Sequence, residues 1–248
     1  MPYPLEEFHD RLRDLCPDDG GNAGDDRREA SAHQAEQACA LARGLGLLIE
    51  RPNSWGSFRS SETKGLQFGT EHLVEMSEPR DRVAKITIPP GFGLTATVVE
   101  RAAVNLRNDP TLPATHAFVE LVKATPLEYL ERWIAANDVF GDDVRLESVV
   151  QWQGGDVSFG ISQPQYHGCP APDREIDWYF KAAGWKLVGD PSSPAGHQLF
   201  YNYAFQVLAV DALPRNCFLN EDLLLPFDVI LCRPDDRLEQ FLKLYPGT

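Results

Sequence analysis

The residues best suited to chemistry in this chain are one lysine and three amides or acids late in the sequence. Lys85 lies in Val83-Ala84-Lys85-Ile86, an apolar setting in which an ammonium is costly unless something compensates it. Asp211 and Asn216 stand five positions apart in Asp211-Ala-Leu-Pro-Arg-Asn216. This is the spacing at which one loop can present an acid to an attacking hydroxyl and an amide oxygen to a metal. Asp228 follows twelve residues later inside the apolar run LLLPFDVILC, where a carboxylate must be paired, protonated or metal-bound. Phosphoryl transfer from ATP needs these parts: a cation on the phosphates, oxygen ligands for magnesium and an acid at the acceptor hydroxyl. Each residue also has a plainer reading. Lys85 fits the exposed side of an alternating strand, and a five-residue Asp/Asn pair is a short motif that arises by chance.

The elements that must position them follow from periodicity. Leu5, Phe8, Leu12 and Leu15 predict an amphipathic helix over 4–15, and Ala35, Cys39 and Leu41 mark a second over about 27–43. Between them CPDDGGNAGDD predicts a mobile linker over 16–26. Beyond Arg51, Pro52, Gly56, Gly65 and Gly69 punctuate short extended segments. LQFGTEHLVEM and RVAKITI read as two strands joined by a turn. Residues 89–115 show no assignable pattern. Thr125-Pro126 opens a helix through a capping residue and a first-turn proline. Its Glu128 or Glu131 can reach Lys85, although either serves equally well as a solvated helix charge. RLESVVQW and DVSFGIS form a hairpin around Gln153-Gly154-Gly155, and a helix spans Pro172 to about Ala183. After a loop at 190–196, HQLFYNYAF, QVLAVDA and LLPFDVILC read as three further strands.

These residues in this order resemble the small kinase-like domains of polyvalent proteins from phages and mobile elements. The likeness rests on GTEHLVEM, RVAKIT, PLEYLERWIAANDVFGDDVRLESVV, ISQP, the helix ending at Ala183-Gly184-Trp185, and VDALPRNCFLN followed by LLPFDVI. It implies an α+β, minimal two-lobed protein-kinase-like fold with an N-terminal helical extension. Helices and linker would fill 1–50 and the kinase-like domain 51–248. Its N-lobe would span about 51–161, its hinge 161–164 and its short C-lobe 165–248. By the resemblance Ser162 and Gln163 contact the nucleotide at the hinge, Lys85 holds the phosphates and Glu131 braces Lys85. Asp211 is the catalytic aspartate, while Asn216 and Asp228 hold magnesium. ATP and magnesium are the implied cofactors. The pattern departs from the family in lacking His-Arg before Asp211 and Phe-Gly after Asp228. With 20 residues after Asp228, a peptide substrate of the usual protein-kinase kind is not expected.

Composition bounds the alternatives. The 248 residues are 43% apolar and carry a net charge of −14, enough for a sizeable core and unfavourable to nucleic acid or anionic membranes as partners. Cys16, Cys39, Cys169, Cys217 and Cys232 are odd in number and without metal-site spacing. With a start that lacks a signal-peptide core, they fit a cytoplasmic protein. No phosphate-binding G-x-x-x-x-G-K-[S/T] loop or nucleophile elbow is present. Three functions follow as expectations: a phosphotransferase on an unidentified hydroxyl, a pseudokinase that binds or regulates, or an acidic inhibitor of a basic partner.

Overall fold

The structure is a computed structural model that describes residues 3–17, 24–61, 66–76, 81–102, 115–188 and 198–245. It is a mixed α+β protein. In chain order the elements begin with α1 (Leu5–Leu15), α2 (Gly24–Leu45), β1 (Leu48–Arg51) and α3 (Trp55–Ser61). Then come β2 (Gln67–Phe68), β3 (His72–Met76), β4 (Arg82–Thr87), β5 (Leu94–Ala102) and β6 (Thr115–Lys123). The middle holds α4 (Pro126–Phe140), β7 (Arg145–Trp152), β8 (Val157–Pro164), β9 (Cys169–Pro170), α5 (Asp173–Ala182) and β10 (Lys186–Leu187). The last elements are β11 (Phe200–Asn202), β12 (Val207–Val210), β13 (Cys217–Asn220), β14 (Leu223–Pro226), β15 (Ile230–Cys232) and α6 (Asp236–Leu242).

The chain divides into two compact units, Met1–Thr95 with Lys123–His167, and Ala96–Val122 with Gly168–Thr248. The first unit is built on a six-stranded sheet in the order β1-β7-β8-β4-β3-β2. Phe159 on β8 gathers Phe8 of α1, Phe92 and Tyr129 of α4, with ring centroids 6.2, 5.0 and 6.0 Å away. Neighbouring Ser158 points to the other face. There its hydroxyl accepts from Trp152 Nε1 at 3.0 Å, and Trp152 packs with Trp55 and Phe58 of α3. A sheet buried on both faces explains the nearly continuous apolar run of β8.

α4 starts as its sequence predicts. Thr125 and Glu128 form a reciprocal capping box, Pro126 opens the first turn and Gly141 closes the helix with φ of 69°.

In the second unit a four-stranded antiparallel sheet runs β10-β11-β12-β15, and a three-stranded sheet runs β14-β13-β9. Phe180 of α5 stacks on Phe200 at 4.7 Å and meets Trp185 edge-on at 5.1 Å. β5 and β6 form a two-stranded sheet.

α1 and α2, the helices expected within 1–50, pack against α4 in the first unit. Several expectations change. The stretch after Arg51, read as extended, contains α3, because Ser54 Oγ accepts from Ser57 N and Trp55 and Phe58 share one buried helix face. Part of the 89–115 region, which shows no assignable sequence pattern, is strand β5, paired with the equally unexpected β6. LLPFDVILC is two strands in different sheets, not one. Most of the linker expected at 16–26 (residues 18–23), Gly65 and the loop at 190–196 lie outside the described residues, while Gly24 to Asp26 belong to α2. All five cysteines are thiols, four buried and Cys169 exposed. No helix among the described residues is long and apolar enough to cross a membrane.

Phe159 is fully buried, whereas Ile49 is 41% exposed. Phe159→Ala is expected to lower stability by about 3–5 kcal/mol and Ile49→Ala by less than about 0.5 kcal/mol. Urea midpoints of the two variants, measured at equal slope, check this.

Candidate functional site

Lys85 is buried on β4 and lies opposite Ile161 of β8. Directly opposed residues share a sheet face, and Ile161 is two residues from Phe159, so Lys85 stands on the face covered by α4. Its ammonium is 5.0 Å from the Trp133 ring centroid, a cation–π placement. The plainer reading of Lys85 as an exposed strand residue therefore fails.

Gln163 continues the same face and is also buried. Ser162 takes the opposite one, where its hydroxyl donates to Glu147 at 2.5 Å and accepts from Arg82 Nε at 3.1 Å. The expected hinge at 161–164 is the end of a central strand. Ser162 pairs with both Arg145 and Ala84, while Gln163 and Pro164 run past the start of β7.

The glutamate expected to brace Lys85 is engaged elsewhere. Glu131 accepts from Arg13 at 2.8 Å and lies 3.3 Å from His9 Nε2. Burial pushes its pKa up, but His9 and Arg13 outweigh that and hold it below the usual carboxylate range. Glu128 closes the capping box, accepts from Thr125 N at 2.7 Å and pairs with Arg27. The physical reason is that α1 and α2 supply cations to these faces of α4.

An acid whose charge couples to Lys85 is Asp142, just after α4. Burial pushes its pKa up to about 7; Lys85 opposes the rise most strongly, Asp143 adds to it and Arg82 also opposes it. Asp142 Oδ1 accepts the Tyr166 hydroxyl. Sequence reasoning missed this residue because Gly141-Asp142-Asp143 reads as an ordinary helix exit.

The other three expected residues meet in the second unit. Asp211 follows β12 with φ of 61°, in the left-handed region that Asp tolerates better than most residues. Asn216 Nδ2 donates to the Asp211 backbone oxygen at 2.7 Å and to its carboxylate at 2.8 Å. Both amide hydrogens are thereby used. The carbonyl of Asn216 in turn accepts the N–H of Phe227 at 3.0 Å and of Asp228 at 3.4 Å. Asp228 is thus tied to the Asp211–Asn216 loop, in the partly exposed bend between β14 and β15 and not in a strand interior.

Arg215 holds the Asp211 carboxylate with contacts of 2.6 and 2.8 Å from one guanidinium nitrogen. Next to the loop, burial pushes the Cys217 thiol up to about 12, with the nearby Asp211 charge adding, so it is no nucleophile at neutral pH.

An amide oxygen and a carboxylate are the hard ligands magnesium takes alongside phosphate oxygens and water. Asn216 and Asp228 carry ligand atoms of these types. Among the described residues no group of three or more His, Cys, Asp or Glu is placed to hold a metal by itself. No family model, no curated protein and no solved structure matches this chain.

Asp142 supplies a pH test. Its folded pKa lies above the ordinary value, so the folded state binds the extra proton between about pH 4 and 7, and the associated stability falls as pH rises through that window. Asp142→Asn keeps the shape and removes the charge. The variant is expected to match the parent protein near pH 4 and to exceed it by on the order of 2 kcal/mol at pH 8. Thermal melts at the two pH values measure this, and a constant difference contradicts it.

Proposed function

We propose that the protein is an ATP- and magnesium-dependent phosphotransferase acting on a hydroxyl acceptor. The observation that carries this reading is the loop in which Asn216 is bonded to Asp211 through its side chain and to Asp228 through its backbone. Two segments tied at the backbone thereby carry an acid, an amide and a second acid, the residue types that phosphoryl transfer uses for the acceptor proton and the metal. Within the first unit Lys85 is a buried lysine on the third strand of the antiparallel run β2-β3-β4, with β5 and β6 between it and α4 in the chain.

In this scheme the second unit supplies the metal and proton chemistry. Asn216 Oδ1 and the Asp228 carboxylate would hold magnesium, which when bound offsets charge on the transferring phosphoryl group. Asp211 orients the acceptor hydroxyl and takes its proton.

A second reading, a nucleotide-binding pseudokinase, is favoured by two specific features. Glu128 and Glu131 are committed to Arg27, Arg13 and His9, and the Asp211 carboxylate is held by Arg215. Arg215 is 64% exposed at its side chain, so the contact can open at small cost.

Incubation with labelled ATP and magnesium, scored by phosphate released or transferred, tests the activity. Asp211→Ala is expected to lower transfer by at least about 100-fold with nucleotide affinity nearly unchanged, the loss typical for removal of a general base. Asp228→Asn is expected to remove the magnesium-dependent part of the thermal shift produced by ATP, which for the parent is about 2.7 kcal/mol at ligand 100 times the dissociation constant. Binding without transfer in the parent protein selects the pseudokinase, and no nucleotide binding overturns both readings.

A further inference from the structure

A groove of about 1010 Å³ lies wholly within the second unit, walled by Tyr201, Tyr203, Phe205, Tyr245, Lys186 and Glu239 among others. Three of its rings are exposed, while Tyr201 is buried. Tyr203, Phe205 and Tyr245 are 36, 44 and 57% exposed. Two of them are presented by a fixed turn, since Asn202 Oδ1 accepts the N–H groups of Ala204 at 3.0 Å and Phe205 at 3.4 Å. Tyr201 meets Tyr203 edge-on, with centroids 4.8 Å apart and planes at 86°. That contact braces the Tyr203 ring from one side.

Two charges define what these rings can receive. The Lys186 ammonium lies 5.1 Å from the Tyr203 centroid, so the ring face already accepts a cation. Glu239 supplies the negative charge. The Tyr245 hydroxyl hydrogen-bonds its carboxylate, and that bond chiefly raises the Tyr245 pKa. Burial raises the pKa of Tyr201, and the same carboxylate pushes it further in that direction. A carboxylate among electron-rich rings is the arrangement that recognises alkylammonium groups. The chain's net charge of −14 favours the approach of such a ligand. Arg233, bonded to the Phe205 carbonyl at 3.4 Å, is the other cation bonded to this segment.

We propose that this groove binds an organic ammonium group on the Tyr203 ring, with Glu239 as its counter-charge and Lys186 as the internal competitor for the same seat. The groove is larger than one ammonium head, which suits a group carried on a larger molecule, such as a trimethylated lysine in a peptide. Internal competition makes the proposal sharp, because two exposed substitutions act in opposite directions. Lys186→Gln vacates the ring and lifts a repulsive charge, so binding tightens about 2- to 5-fold. Glu239→Gln weakens it by about the same factor, the size of one partly exposed charge interaction.

The experiment titrates the full chain with choline, with N-acetyl-trimethyllysine methylamide, and with 3,3-dimethylbutanol, the neutral isostere of choline, following tyrosine ring signals by NMR. The two cations are expected to shift the Tyr203 and Tyr245 signals while the isostere does not. Tighter binding of the capped trimethyllysine assigns the source to a modified peptide, and tighter binding of choline assigns it to a free small molecule. Equal binding of the neutral isostere, absence of any shift, or a Lys186→Gln variant that binds no tighter than the parent overturns the proposal. Unchanged melting temperatures of both variants show that the fold is intact in either case. The result is independent of nucleotide chemistry, since the groove contains none of the residues assigned to it.

Discussion

Burial of the Phe159 ring is the constraint on which the first unit depends. Four aromatic side chains from α1, from the segment before β5, from α4 and from β8 converge on one face of the central strand. Each ring contributes a large buried area, and the edge-to-face contact of Phe8 with Phe159 adds a further preference for one arrangement. Once that layer is seated, α1 and α4 have no freedom to turn on the sheet. Everything polar nearby is then fixed as a consequence. Lys85 is held beneath Trp133, Glu131 is presented to His9 and Arg13, and Asp142 is buried at the exit of α4.

In the second unit the equivalent constraint is polar. Asn216 satisfies both hydrogens of its amide on Asp211 and uses its carbonyl to hold the N–H groups of Phe227 and Asp228. A buried amide with these donors satisfied resists rearrangement, because breaking any one bond leaves an unpaired group away from water. The loop therefore keeps Asp211 in a left-handed conformation and keeps Asp228 at a bend. The phosphotransferase reading rests on this preorganisation more than on any single residue. It has the same logic as the aromatic layer: side chains that must be satisfied fix the backbone that carries the chemistry.

The helices and hairpins with short-range signals are legible in the sequence. Thr125-Pro126 marks the start of α4, Gln153-Gly154-Gly155 marks the β7–β8 turn, and the Asp211–Asn216 spacing marks a loop after a strand. Each depends on residues within a few positions of one another, so the sequence window contains the whole cause. The same is true of most of α1: Leu5, Phe8 and Leu12 of its apolar stripe are buried, whereas Leu15, expected to join them, is 47% exposed.

What the sequence by itself determined is thus a set of local elements and a list of reactive residues. Partners across long separations were decided only by the tertiary structure. Glu131 is 122 residues from His9 and 118 from Arg13, and no local pattern couples them. Ser162 and Gln163 are neighbours in sequence yet lie on opposite faces, because strand alternation separates what a motif reading joins. Asp228 reads as a core-strand acid in LLPFDVILC, but the run crosses from one sheet to another and places it at the bend between them. Charge pairing and sheet membership depend on which surfaces pack together. Hydrophobic burial settles that over the whole chain, beyond the reach of any short window.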